Sequence, residues 1–453
     1  MPLTKKLPAK KLTLLRRRHR FTCKERIEAS KTCQLMLYLT LQWLRLKKHP
    51  TDGNNHLLFI QKELLVIMDE LYQHYVSLRM IDESILWSKL QKPQRKYLFI
   101  NKLSQIDIRN NFRFENHQQL YRLYSGFKFP EKMYNKKGMI FHGEEVLLAG
   151  LFRLHYPNRF VESGWTTYFG FDNQTASSCC AIFFQFMIWS WAYLLLDNWD
   201  FWLPSLTHFS LAIRNKLLQL QCPFPTPDQP GGFAIFGFID NTVLATCRPG
   251  GGPLRDEENS PRKDPLIQRA WYNGWKKHHG IKWQTVDLPN GMNANVYGPM
   301  SCRHNDLYAL KRSGLNNTLQ QLQRGNPKQY RVYGDAAYQV ISCSHIVARH
   351  NNLINTPREI LENDSMASCR QTIEYNYGDL KRMWAFLEYK QNLKLLDMPI
   401  VSMSLTAMIL RNAYVTMNGN QSSVFFNVLP PAFEVWVAEG PRLYHIPNTV
   451  QLN

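Results

Sequence analysis

Residues 222–232 read Cys-Pro-Phe-Pro-Thr-Pro-Asp-Gln-Pro-Gly-Gly. Four prolines and two glycines in that run cannot continue a helix, so the segment connects two blocks that fold separately at the level of secondary structure. Before it the chain is rich in apolar residues at three- and four-residue steps. After it come short β-rich runs broken by glycine turns. The expected layout is a basic N-terminal arm over 1–50, a helical region over 51–138, a second helical block over 139–221 and the linker at 222–232. An α/β domain over 233–430 and a C-terminal tail or closing strand over 431–453 complete it.

Charge narrows the partners. Lys and Arg number 55 against 35 for Asp and Glu, a net charge of +20. A surplus of that size calls for a polyanion, nucleic acid before an anionic membrane. Residues 1–20 hold Lys5, Lys6, Lys10, Lys11, Arg16, Arg17, Arg18 and Arg20 and no acid. The segment has no apolar core, so it is not a secretory signal. It reads as a nucleic-acid-binding arm or a nuclear-import signal, which makes a nuclear location the expectation. A transit peptide and a solvated tail are the alternatives. Nine cysteines without a CxxC pair argue for a reducing compartment over a disulfide framework. Cys343-Ser344-His345 lacks a second ligand pair at zinc spacing.

In the helical half, Trp165 to Ser178 has a short helix, a turn at Gly170 and a polar start to the next helix, a helix-turn-helix outline. Asn173, Gln174, Ser177 and Ser178 could face bases or phosphates; an ordinary helical hairpin looks the same. Cys179 to Leu196 carries no charge and reaches the lower length limit of a membrane span. Gln185 and Ser190 interrupt it and no basic stop follows, so a buried helix in a soluble bundle, without a membrane, is the expectation.

The chemistry lies beyond the linker. Phe233 to Asp240 is an apolar run ending in a carboxylate, as expected of a buried strand with Asp240 at its carboxyl end. Tyr330 to Asp335 repeats the pattern. Ile281–Leu288 and Met292–Tyr297 flank Pro289-Asn290-Gly291, a hairpin. Carboxylates ending neighbouring buried strands are costly unless they share a proton or meet a cation. Met366, Cys369, Ile373, Tyr377, Leu380, Trp384 and Leu387 mark one helix face, with Glu374 at its edge. Arg370 lies one turn before Glu374, able to hold a phosphate, and Gly378 one turn after, leaving room for it. An ordinary solvated helix residue is the alternative for Glu374. His304 and Asp306 could assist the site, or Asp306 could cap a helix. Lys276 and Lys277 could track phosphates or lie in a solvated turn. Trp271, Trp275 and Trp283 could stack on bases or pack the sheet.

Two strand-end aspartates and a helical glutamate resemble the layout of RNase H-like nucleases. From about Gly143 to Ala413 the chain resembles the Harbinger-type (PIF/Harbinger) DDE transposases. The matching pieces are Gly237–Thr242, Cys247-Arg248-Pro249, Tyr272–His278, Ile281–Gln284, Tyr297-Gly298-Pro299, Arg303–Asp306, Gly334–Tyr338, Arg370–Glu374 and Tyr377–Lys381. The resemblance implies a mixed sheet with flanking helices, preceded by the all-α region. It implies a DNA endonuclease or transposase with Asp240, Asp335 and Glu374 as catalytic ligands of Mg²⁺ or Mn²⁺. Lys276, Lys277, His304, Arg370 and Lys381 would contact DNA. It also suggests a Myb-like DNA-binding partner, and a homo-oligomer is compatible with it. Two departures, Asn241 after the first aspartate and Cys302 before Arg303, keep open a transposase-derived DNA- or protein-binding factor with little nuclease activity. If Asn241 occupies a turn, it is the non-glycine residue best suited to positive φ.

Overall fold

The computed structural model describes residues 95–442, except 136, 158–159, 161–164, 223–232, 250–253, 256–260, 263–264, 325–328, 341–344, 351–354, 391–392 and 396–397. The basic arm, most of the region 51–138 and all of the linker but Cys222 therefore lie outside the described residues, as do Cys343 and Ser344. Contacts divide the chain into two units, and nearly everything described belongs to the second, Pro93–Leu395 with Ile400–Asn453.

After short helical turns over Ile100–Lys102, Gln105–Asp107 and Ile108–Phe112 come α1 (His117–Gly126) and a small ladder of β1 (Lys132–Tyr134) with β2 (Ile140–His142). The expected boundary at 138 falls in the turn of this hairpin, where Gly138 takes φ 74°. Next come α2 (Gly143–His155), α3 (Trp165–Phe169) and α4 (Asn173–Trp191). The short helix, turn and longer helix are present. Gly170 takes φ 63° and the Asp172 side chain caps α4 by accepting from Thr175 N at 2.7 Å. Asn173, Gln174 and Ser177 face solvent, while Cys179, Phe183, Met187 and Trp191 are buried. The uncharged run is thus a core helix. A Cβ on Gly150 of α2 would sit 2.1 Å from the Phe183 ring, so α2 and α4 pack at glycine distance. Then α5 (Leu206–Gln219) lies against the sheet.

The sheet contains β3 (Ala234–Thr246), β4 (His278–Asp287), β5 (Asn293–Ser301), β6 (Tyr330–Gly334) and β7 (Ile346–Ala348), plus Tyr272–Asn273 at the start of β4. β3, β4 and β5 form an antiparallel meander, and β6 then β7 add parallel on the other side of β3. The mixed sheet with flanking helices is present. Asp240 does not end its strand. β3 runs on to Thr246, because residues 241–246 keep pairing with β4 after β6 has stopped. Asn241 accordingly lies in a strand and not in a turn, and needs no positive φ.

Between β5 and β6 lie α6 (Asp306–Ser313) and α7 (Leu315–Leu322). The cap of α6 is Asn305, which accepts from Tyr308 N at 2.9 Å; Asp306 is the first helical residue and is free to bond elsewhere. α8 (Pro357–Met383) begins nine residues before the face read from the sequence. Thr356 and Glu359 form a capping box ahead of Pro357, and Trp384 closes the helix. α9 (Ile400–Asn418) is buried on almost every side and packs on α4, α8 and β5. Among the described residues it is the one helix long and apolar enough to cross a membrane, and most of it is covered by protein. α10 (Gln421–Phe426) and α11 (Phe433–Trp436) follow. The expected closing strand is this last helical turn, because Phe433 and Trp436, three residues apart, enter the core on one side.

Candidate active site

The parallel pairing of β3 with β6 matches Phe238 to Tyr333. Carried two residues past that rung, the register brings Asp240 level with Asp335, close enough for Asp335 to act electrostatically on Asp240. Burial raises the Asp240 carboxyl to about 6, against a backbone hydrogen bond and Arg370 that lower it; Asp335 and Asp306 add to the rise. Burial, then Asp306, also raises Asp335. In both, burial outweighs the nearby cations, Arg370 for Asp240 and Arg370 with Lys282 for Asp335. Asp240 Oδ1 accepts from Asn241 N at 2.7 Å and Asp335 Oδ1 from Ala337 N at 3.0 Å, which orients both.

The cation nearest Asp240 is Arg370 on α8, with Nη1 3.2 Å from Asp240 Oδ2 and Nη2 3.8 Å from Glu374 Oε1. One guanidinium therefore stands between the first aspartate and the glutamate. Glu374 was expected to point along the sheet surface; its side chain is 61% exposed. It lies beside the Asp pair, across Arg370, and is not gathered with it. Among the described residues no group of three or more His, Cys, Asp or Glu side chains is close enough to hold a metal ion. The two aspartates have the hard oxygen donors that suit Mg²⁺ or Mn²⁺. Gly378 opens onto free space, with no atom within 4 Å of where a Cβ would stand.

Behind the aspartates lies a polar layer. Lys282, 7% exposed, donates to Asp306 Oδ1 at 2.9 Å and to the His304 carbonyl at 2.6 Å. Asn241 donates to the buried Tyr338 hydroxyl at 2.8 Å. That hydroxyl is pushed far above its usual range by burial and by Asp306, Asp240 and Asp335, so Tyr338 stays a neutral hydrogen-bonding group. Lys282 escaped the sequence reading, although a lysine within an otherwise buried strand is itself the signal.

The other expected DNA contacts are spread out. His304 stacks on Tyr308 with ring centroids 3.9 Å apart, and burial with Arg303, Lys282 and Arg312 lowers it below its usual range. The shift favours the neutral ring, which offers a hydrogen bond. Lys381 lies 3.8 Å from Glu388. Lys276 and Lys277 are exposed in the turn before β4. Of the three tryptophans, Trp283 is wholly buried, whereas Trp275 is 93% exposed.

Residues 259–412 match the family described as DDE superfamily endonuclease. The matched span includes Asp335, Arg370 and Glu374, and Asp240 precedes it. No curated protein and no solved structure matches the chain significantly. Residues 259–412 of the 453 are thus similar to the DDE superfamily endonucleases, and the mixed sheet with its flanking helices fits that likeness.

Proposed function

We propose that the protein is a divalent-metal-dependent DNA endonuclease of the transposase type, with Asp240, Asp335 and Glu374 as its catalytic carboxylates. The observation that carries this reading is that Asp240 and Asp335 lie two residues past the last rung shared by their neighbouring parallel strands, with Arg370 joining Asp240 to Glu374. Asp240 and Asp335 would hold the metal, with Glu374 as the third carboxylate. When bound, divalent ions supply charge stabilisation for in-line displacement at phosphorus. Asn241 N and Ala337 N keep the aspartates oriented. Arg370 presents a planar donor pair suited to a phosphate, and Gly378 leaves space beside it. Strand transfer into target DNA, a Harbinger-type origin, a Myb-like partner, self-association and a nuclear location belong to the same reading.

Glu374→Gln tests it. The change keeps size and helix propensity and removes one charge. Folding and DNA binding are expected to survive, while Mg²⁺-dependent nicking falls by at least a hundredfold, since about 1.4 kcal/mol of lost transition-state stabilisation costs tenfold. Undiminished nicking would make Glu374 a solvated helix residue and sink the triad.

A second reading is a transposase-derived DNA- or protein-binding factor with little nuclease activity. The position of Glu374, across a guanidinium from the aspartates, favours it. Tight DNA binding by the unaltered protein with no nicking in Mg²⁺ or Mn²⁺ would select this reading.

A further inference from the structure

The turn before β4 is built as a rigid tip. Asn273 pairs with His278 across it. Asn273 Oδ1 accepts from Lys276 N at 2.9 Å, and Asn273 Nδ2 donates to the Cys302 carbonyl at 2.6 Å, tying the tip to the end of β5. Lys277 holds φ 53°, the left-handed conformation that closes such loops. At the top stands Trp275, 93% exposed, whereas six other tryptophans are under 2% exposed. Tyr272, on the same hairpin, is 39% exposed. Lys276 and Lys277 follow Trp275 directly and are exposed, and neither has an acidic partner among the described residues. Scattered apolar residues on a surface need no explanation. A pre-ordered indole with an unpaired lysine pair beside it, on a chain of net charge +20, is a different object.

We propose that Trp275 is a base-stacking wedge: it stacks on a nucleobase at a distorted step of bound DNA while Lys276 and Lys277 hold the adjoining phosphates. The inference rests on the DNA-endonuclease reading and adds a contact to it. A flat aromatic face accepts any base, and the lysines supply the counter-charge that an apolar protein partner would not need. Because the tip is already ordered, little conformational entropy is lost on engagement. The register places the contact. Asp240 pairs with Thr285 and Thr246 with His279, so the tip lies beyond six strand residues from the first aspartate. At about 3.3 Å per residue the base of the tip is roughly 20 Å away, and Trp275 lies further. For DNA running along β3, that is more than about six base pairs from the cut.

The test uses the full chain and a nicked duplex with 2-aminopurine placed singly at successive positions from the nick. The unaltered protein is expected to change the fluorescence at positions more than about six base pairs away. Trp275→Ala is expected to abolish that change and weaken binding about 5- to 100-fold, as stacking contacts do, with an unchanged melting temperature. Trp275→Phe is expected to retain most of both. The slope of log affinity against log salt is expected to hold for Trp275→Ala and to fall for Lys276→Ala/Lys277→Ala. Equal affinity and equal 2-aminopurine response in the unaltered protein and Trp275→Ala would overturn the wedge and leave the DNA reading intact. Self-association lost in Trp275→Ala with DNA affinity unchanged would overturn it in favour of a protein partner. No DNA binding by the unaltered protein would overturn the reading beneath it as well.

Discussion

Asp240 concentrates the conflict between folding and function in one side chain. It is mostly buried, and its carboxyl is raised from 3.8 to about 6 chiefly by burial. Holding a carboxylate there ionised costs stability. Relative to the unfolded chain, the contribution of Asp240 is fully present below about pH 4 and is lost as pH rises through about 6. Asp240→Asn is therefore expected to stabilise the metal-free protein at pH 8 by on the order of 2 kcal/mol. That gain should shrink to nothing by pH 4, as followed by melting temperature across pH. A gain that grew on acidification would have the wrong sign for a buried acid. Such relief at the cost of nicking is what a site holding a buried charge should show.

Between elements, a buried polar network sets how α8 lies on the hairpin. Asp287 at the end of β4 accepts from Thr285 Oγ1 at 2.5 Å, Asn293 Nδ2 at 2.7 Å and Asn376 Nδ2 at 2.9 Å. Arg411 of α9, 1% exposed, donates to Asn376 Oδ1 at 2.5 Å and to the Gly291 carbonyl in the β4–β5 turn. Gly291 holds φ +83°, and a Cβ there would meet Asn420, which caps α10. Asn376 lies two residues past Glu374, so the network also fixes where the glutamate stands. Arg411→Met leaves Asp287 without its buried counter-charge and takes one donor each from Asn376 Oδ1 and the Gly291 carbonyl, which keep weaker partners in Asn420 and Ser422. The expected loss is about 3–5 kcal/mol, read as a fall in denaturation midpoint. A variant as stable as the parent would show that packing of α9 alone holds these elements together.

For the whole chain, the surplus of +20 is a statement about association. Affinity for duplex DNA is expected to fall with salt, log K dropping by about 0.9 per phosphate contact for each tenfold rise. Deleting residues 1–20, which hold eight of the basic residues, should weaken binding evenly across sequences, because phosphate contacts position without specifying. Titration by fluorescence anisotropy between 50 and about 300 mM salt measures both effects. An affinity indifferent to salt would assign the charge to another polyanion or to solubility.

Local pattern was enough to place the strands that carry the aspartates, the β4–β5 hairpin with its glycine turn, and the helix of Glu374. Alternation, turn chemistry and a 3.6-residue face are local properties, written into a few consecutive residues. Where β3 ends was not local. Residues beyond Asp240 stay extended because β4 continues beside them, a partner about forty positions away. Nor could spacing reveal that Arg370 would stand between Asp240 and Glu374, since that depends on how α8 crosses the sheet. The same holds for Lys282 with Asp306 and for Asp287 with Asn376 and Arg411. A buried charge is tolerated only where a partner arrives from elsewhere in the chain. Residue types alone determined which groups could do the chemistry; packing decided which of them meet, because that is settled by distance in space and not along the chain.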